Sequence, residues 1–348
     1  MATFYVTEEQ LAAAVGRHEG PAAFGAGLTE RLPWIAPTPG ALDVAALSRP
    51  RAAQSPKGFF LPALESLGRY GTSAGTGAGP AEDGRDIVLV GVRACELRAR
   101  DYLDQVLRDG AFADPTYSRR REQLLVVACD CVDCTDSCFC TAVGGQPHPT
   151  GGYDVNLAPV GDGFLVEAGS ERGRAWLAER LAGAIEASPA QLEARDARRR
   201  DMAERVARQN ADFGLAVADA DPPTLPDDGD PAWQAFAADC VECGACTNIC
   251  PTCHCFYLYD QVLGAEQFER VRNWDSCLLA SYHRMAGGPG MKLSPRARLS
   301  SRLANRVLHK FDYSPRQYGL LGCVGCGRCV EGCLGEIDIR RVVQELRR

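Results

Sequence analysis

A chain of 348 residues with a hydrophobic fraction of 46% is long enough for two or three domains with a sizeable core. Its formal net charge of −7 argues against nonspecific nucleic-acid binding, and no apolar run reaches the length of a membrane helix. Seventeen cysteines stand out, and the opening MATFYVTEEQ has neither the basic nor the apolar region of a secretory leader. The sequence therefore reads as cytoplasmic, where thiols stay reduced and a disulfide framework is not expected.

Thr7-Glu8-Glu9-Gln10 has the form of a capping box, predicting a short helix through Leu11 and Val15. The following stretch mixes Pro, Gly and Ala without period. Within it, Gly71 to Pro80 reads as a surface loop rather than a phosphate cradle, because Pro80 stands where a third glycine would be needed. The lysines, Lys57, Lys292 and Lys310, are never followed by Ser or Thr, which excludes a Walker loop. Asp86 to Val92 and Gln123 to Ala128 are continuous apolar runs with β-branched residues, predicting buried parallel strands. The first delivers Cys95 at its carboxyl end, the second Cys129, Cys131, Cys134, Cys138 and Cys140. A parallel α/β core would gather all six at one edge.

That gathering has three readings. Cys95, Cys131, Cys138 and Cys140 could hold a third 4Fe-4S cluster, zinc could use four of the six, or some are inert core thiols. Farther on, Gly161-Asp162-Gly163 predicts a β-hairpin, followed by a helix from Glu171 and a second from Pro189 to about Phe213. The second alternates Arg with Asp and Glu, the pattern of a solvated face laced with ion pairs. Asp219 to Pro231, with four prolines and five aspartates, reads as an acidic linker.

Beyond it, C-x-x-C-G-x-C-x-x-x-C occurs twice, at Cys240, Cys243, Cys246 and Cys250 and at Cys323, Cys326, Cys329 and Cys333. Three closely spaced thiolates can wrap one cubane while the fourth reaches its neighbour. This predicts two 4Fe-4S clusters, one on Cys240, Cys243, Cys246 and Cys333, the other on Cys323, Cys326, Cys329 and Cys250. Zinc would leave thiols surplus in each copy. Gly244 and Gly327 would let the backbone approach sulfide with positive φ. Cys253, Cys255 and Cys277 stay unassigned, like Cys129 and Cys134, and His254 suits a hydrogen-bonding role better than a ligand's.

Ser294-Pro295 predicts a helix start. Leu299, Leu303, Val307, Leu308 and Phe311 then fall on one face, with Arg296, Arg298, Arg302, Arg306 and Lys310 opposite. The basic face reads as solvated or, more sharply, as a dock for an acidic partner. The segment from 251 to 322 is expected to be a small helical bundle. Together these give an α+β chain: an α/β domain over 1–217 bearing the possible third centre, a linker over 218–232, and an all-α helical-ferredoxin-like dicluster domain over 233–348.

Gly91-Val92-Arg93-Ala94-Cys95-Glu96-Leu97, Cys138-Phe139-Cys140-Thr141, Gly152-Tyr153-Asp154-Val155, Trp274-Asp275-Ser276-Cys277, His309-Lys310-Phe311 and the second cysteine motif carry a resemblance. From about residue 86 onward the chain resembles the iron-sulfur beta subunits of soluble NAD(P)-linked NiFe-hydrogenases (sulfhydrogenases) and the related A subunit of anaerobic sulfite reductase. Ala94 and Leu334 stand where that family usually has proline, and neither removes a ligand. The resemblance implies an electron-transfer subunit without catalytic residues or nucleic-acid or membrane partners. It would link a flavin/NAD(P)H-binding subunit to the small and large NiFe-hydrogenase subunits, or to a siroheme sulfite reductase subunit. An iron-sulfur redox sensor is the reading from another class.

Overall fold

The computed structural model describes residues 3–16, 22–24, 44–71, 87–181, 183–285, 287 and 294–348. The expected loop from Gly71 to Pro80 lies, past Gly71, outside them. The chain begins with β1 (Thr3–Thr7) and α1 (Glu8–Gly16), which opens on the expected box: the Thr7 amide donates to Gln10 at 2.9 Å and the Gln10 amide to the Thr7 hydroxyl at 3.2 Å. There follow β2 (Ala22–Phe24), β3 (Leu64–Gly71), β4 (Ile87–Val92), α2 (Ala94–Leu107), α3 (Pro115–Gln123), β5 (Leu124–Cys129), β6 (Val155–Val160), β7 (Gly163–Ala168), α4 (Glu171–Arg180), β8 (Ile185–Glu186) and α5 (Pro189–Gln209).

Seven of these strands form one sheet in the order β2-β4-β5-β6-β7-β1-β8. Its first four strands are parallel and the rest antiparallel. Alternation along β4 sends Val88 and Val90 to a core with Leu11 of α1 and Trp176 of α4. Leu89 and Val92 go to the opposite core, with Leu103 of α2 and Tyr117 of α3. Burial on both faces explains the uninterrupted apolar runs. Because Val92 pairs with Ala128, β4 and β5 end at one level, so Cys95 and the loop from Cys129 to Cys140 leave the sheet together.

The second half contains α6 (Trp233–Ala237), α7 (Ala245–Asn248), β9 (Phe256–Gly264), β10 (Gln267–Trp274), α8 (Leu299–Leu308), α9 (Ser314–Tyr318), α10 (Arg328–Glu331) and α11 (Ile339–Leu346). The expected helical bundle between the two motifs is corrected here: ahead of α8 and α9 the segment forms the β9–β10 hairpin, which pairs with β3 as a three-stranded sheet. The aromatic run Phe256-Tyr257-Leu258-Tyr259 was the available signal. The helix expected from Ser294 starts later, at Leu299, after a turn in which the Ser294 hydroxyl accepts from the Arg296 amide at 3.3 Å. No helix of the described residues is long and apolar enough to cross a membrane.

A further core joins the two halves. Phe139, Val143, Leu215 and Val217 pack with Trp233, Val307, Phe311 and Val342. The acidic segment between them is tied down, with Asp219 accepting from the Leu321 amide at 2.7 Å and Asp228 paired with Arg296 at 3.2 Å.

Candidate metal centres

Each cysteine motif makes a tight turn into a one-turn helix, α7 or α10. Gly244 and Gly327 precede these helices with φ of 69° and 74°, a conformation that a Cβ would strain. Cys240, Cys243, Cys246, Cys333 and Cys329 line one cavity, which Leu303, Val307 and Val342 close on the apolar side. Cys250, Cys323, Cys326 and Cys329 line a second, with Lys310 and Phe139. Cys329 thus lies between the two.

A third cavity opens where the ends of β4 and β5 meet the second motif. It is lined by Cys95, Cys131, Cys134, Cys138 and Cys140, together with Cys326. The contact is intimate: the Phe139 amide donates to Gly325 O at 2.8 Å. A Cβ on Gly325 would come within 2.6 Å of the Cys140 backbone, and one on Gly327 within 2.3 Å of Ser137 O. Cys134, unassigned on sequence, packs with Cys131, Cys138 and Cys140, and its C-x-x-C spacing from Cys131 was the overlooked signal. Cys95 packs instead against Cys326. Cys129 is fully buried in the sheet core, where its thiol lies against carbonyls at 3.5 and 3.8 Å and beside the buried Arg93 guanidinium.

The basic face of α8 is a correction. Of its five cations, Arg298 is exposed and Arg296 half-buried, but neither a solvated face nor a dock describes Arg302, Arg306 and Lys310, which are 3–5% exposed. Arg302 donates to Leu278 O at 2.8 Å and pairs with Glu242. Arg306 faces the first cavity and reaches Cys246 O at 3.3 Å. Lys310 lies in the π-helical turn His309–Tyr313 and donates to Cys250 Sγ at 3.3 Å, and to Thr252 Oγ1 and Gly322 O at 2.9 Å each. Helical periodicity says which residues share a face but not where that face points, and here it points at the thiols. α5 carries its expected exposed ion pairs, Arg200–Glu193 at 3.1 Å and Arg208–Glu204 at 3.3 Å, but Arg199 reaches inward to Asp130 at 2.6 Å and Arg195 pairs with Glu167.

Buried charges from the first half, Glu96, Arg51 and Lys57, complete the setting. Arg328, beside Cys326, is fully buried and paired with buried Glu96 of α2. Arg51 pairs with Glu331 at 2.8 Å and donates to Cys326 O. Lys57 donates to Cys253 O at 2.9 Å and lies 4.0 Å from the Trp274 ring centroid; burial pulls its pKa down. Cys253 lies beside Cys250, whereas Cys255 shares a hydrogen bond with Cys277. His254 bonds to Thr252 O at 3.0 Å.

The donor sets suit thiolate-bound clusters. Burial pushes Cys323 up to about 11 and Cys140 and Cys329 to about 12, so metal must displace their protons. Cys250 is held low by the Cys253 thiol and Lys310. Among the described residues, Arg306 Nε is buried without a hydrogen-bond partner and borders the first cavity, which fits an anionic group there.

Comparison with known proteins agrees with this chemistry. Residues 239–337 match the 4Fe-4S dicluster domain family. The chain is 28% identical over 319 residues, 88% of its length and 86% of the relative's, to sulfhydrogenase 2 subunit beta of Pyrococcus furiosus. The chain thus carries an iron-sulfur dicluster domain and is similar along most of its length to a hydrogenase beta subunit.

Proposed function

We propose that the chain is the electron-transfer iron-sulfur subunit of a multisubunit oxidoreductase. The observation that carries this reading is the sharing of thiols between adjacent cavities: Cys329 lines the first and second, Cys326 the second and third. Three centres in contact suit a relay, whereas an isolated structural metal would need no such row.

In this reading Cys240, Cys243, Cys246 and Cys333 hold one 4Fe-4S cluster and Cys323, Cys326, Cys329 and Cys250 the other. A third occupies the remaining cavity, on Cys131, Cys134, Cys138 and Cys140, with Cys95 turned toward Cys326. Such clusters supply one-electron chemistry. The residues around them exclude water and set charge: Phe139, Val307 and Val342 wall the cavities, while Arg306, Arg328 and Lys310 offset the thiolates. The likeness to the sulfhydrogenase subunit favours a circuit from a flavin/NAD(P)H-binding subunit to the small and large subunits of a NiFe-hydrogenase. A siroheme sulfite reductase is the alternative catalytic partner.

Anaerobic affinity purification, with mass spectrometry of co-purifying proteins and iron analysis, tests this. A NiFe large subunit with a flavoprotein is the expected company; a siroheme protein would move the circuit to sulfite reduction. Cys134→Ser should lower iron by one cluster's worth, and unchanged iron would return that position to Cys95. A chain that purifies alone with full iron would overturn the relay.

A further inference from the structure

The second centre is the more enclosed of the two in the dicluster domain. Cys250, Cys323 and Cys326 are each 8% exposed, whereas Cys243 of the first is exposed. Burial alone disfavours adding an electron to an already anionic cluster, because the extra charge goes unsolvated. By burial alone the second centre would be the harder to reduce.

Lys310 works the other way. Its ammonium gives one N–H to Cys250 Sγ at 3.3 Å and the others to Thr252 Oγ1 and Gly322 O at 2.9 Å. All three protons are therefore aimed, and the side chain cannot swing away. Its backbone is fixed as well: Lys310 O accepts from the Gly322 amide at 2.8 Å, and a Cβ on Gly322 would come within 3.0 Å of Lys310 Cα. Thr252, which shares the contact, sits 3.2 Å from the same sulfur and donates to Gly322 O at 2.6 Å. The corresponding thiol of the first centre, Cys333, receives a neutral donor, the Ile337 amide at 3.3 Å. Arg306 borders the first cavity, but its contact there is to Cys246 O rather than to sulfur. A unit charge a few ångströms from sulfur in a water-poor site outweighs a neutral dipole at the same distance.

We infer that Lys310 is a positioning residue that raises the reduction potential of the second centre, making it the higher of the two and the place where an electron rests between donor and acceptor. This rests on the electron-transfer reading above. The buried ammonium and its N–H···S bond both favour the reduced form, and hydrogen bonds to cluster sulfur are among the factors that set potential.

The test is a redox titration of the anaerobically purified protein, followed by electron paramagnetic resonance, for the parent chain, Lys310→Met, Lys310→Gln and Lys310→Arg, with iron counted in each. In Lys310→Met the higher of the dicluster domain's two midpoints should fall while its lower one and that of the third centre stay, with iron unchanged. Lys310→Gln, which keeps a donor but not the charge, should fall less and covers the case in which Met fails to load. Lys310→Arg should retain most of the parent value. Unchanged midpoints in both neutral variants at full iron, or movement of the lower midpoint alone, would overturn the inference and leave the relay standing. A parent chain with no reducible cluster would remove both.

Discussion

Glu96 and Arg328 meet in the interior with almost no solvent contact, one from the turn that presents Cys95 and the other from the turn that presents Cys326. A buried pair of this kind contributes little over an apolar alternative, yet removing one partner leaves an unmatched charge. Glu96→Gln should therefore destabilise the chain by about 3–5 kcal/mol, measured by denaturant unfolding at neutral pH. His309 gives a pH dependence. Burial pulls its pKa from 6.5 to about 3, so below pH 6.5 the unfolded chain takes up a proton that the folded chain refuses. Stability contributed by the neutral ring is intact above 6.5 and is lost progressively as pH falls toward 3. His309→Gln should flatten the slope of unfolding free energy between pH 7.5 and 5.5. Some slope should persist, because buried His254 is also pulled down.

Among the elements, those whose pattern is local were legible in the sequence. β4 and β5 announced themselves as unbroken apolar runs, the Thr7 box capped α1, and Gly244 and Gly327 took the positive φ their place in the motif required. What was not legible was orientation. Arg302 and Arg306 share a face of α8, which Lys310 continues in the π-helical turn after it, but the thiols that turn that face inward come from distant segments. The β9–β10 hairpin was lost for a related reason: its pairing partner, β3, lies far upstream, in a stretch with no strand-like period. Cys134 could have been read from its spacing, whereas the contact of its loop with Gly325 could not. That contact makes a prediction at this scale. Gly325 has φ of 66° and its Cα faces the Cys140 backbone, so Gly325→Ala meets both strain and overlap. A loss of about 2–4 kcal/mol is expected, with lowered iron, and Gly214→Ala, open apart from one arginine tip at 3.4 Å, is the control for strain alone.

Over the whole molecule, the question is whether the dicluster half stands by itself. Its sequence, after an acidic segment rich in proline, resembles a separable unit. Yet Val307, Phe311 and Val342 fill their core against Phe139, Val143, Leu215 and Val217. β10 is hydrogen-bonded to β3 along most of its length, with Arg272 reaching buried Glu65 at 2.6 Å. Arg51, Lys57 and Glu96, all from the first half, supply charges that the second half's carbonyls, Glu331 and Arg328 use. Expressed alone, residues 233–348 would expose that apolar face, leave Arg328 unmatched and free the β10 edge of the hairpin, a combination that favours aggregation. The fragment should give little soluble protein, no cooperative melt by circular dichroism and far less than half the iron of the full chain. A fragment that melts cooperatively with two clusters' worth of iron would instead make the dicluster half autonomous, and the shared core a docking surface between two folded units.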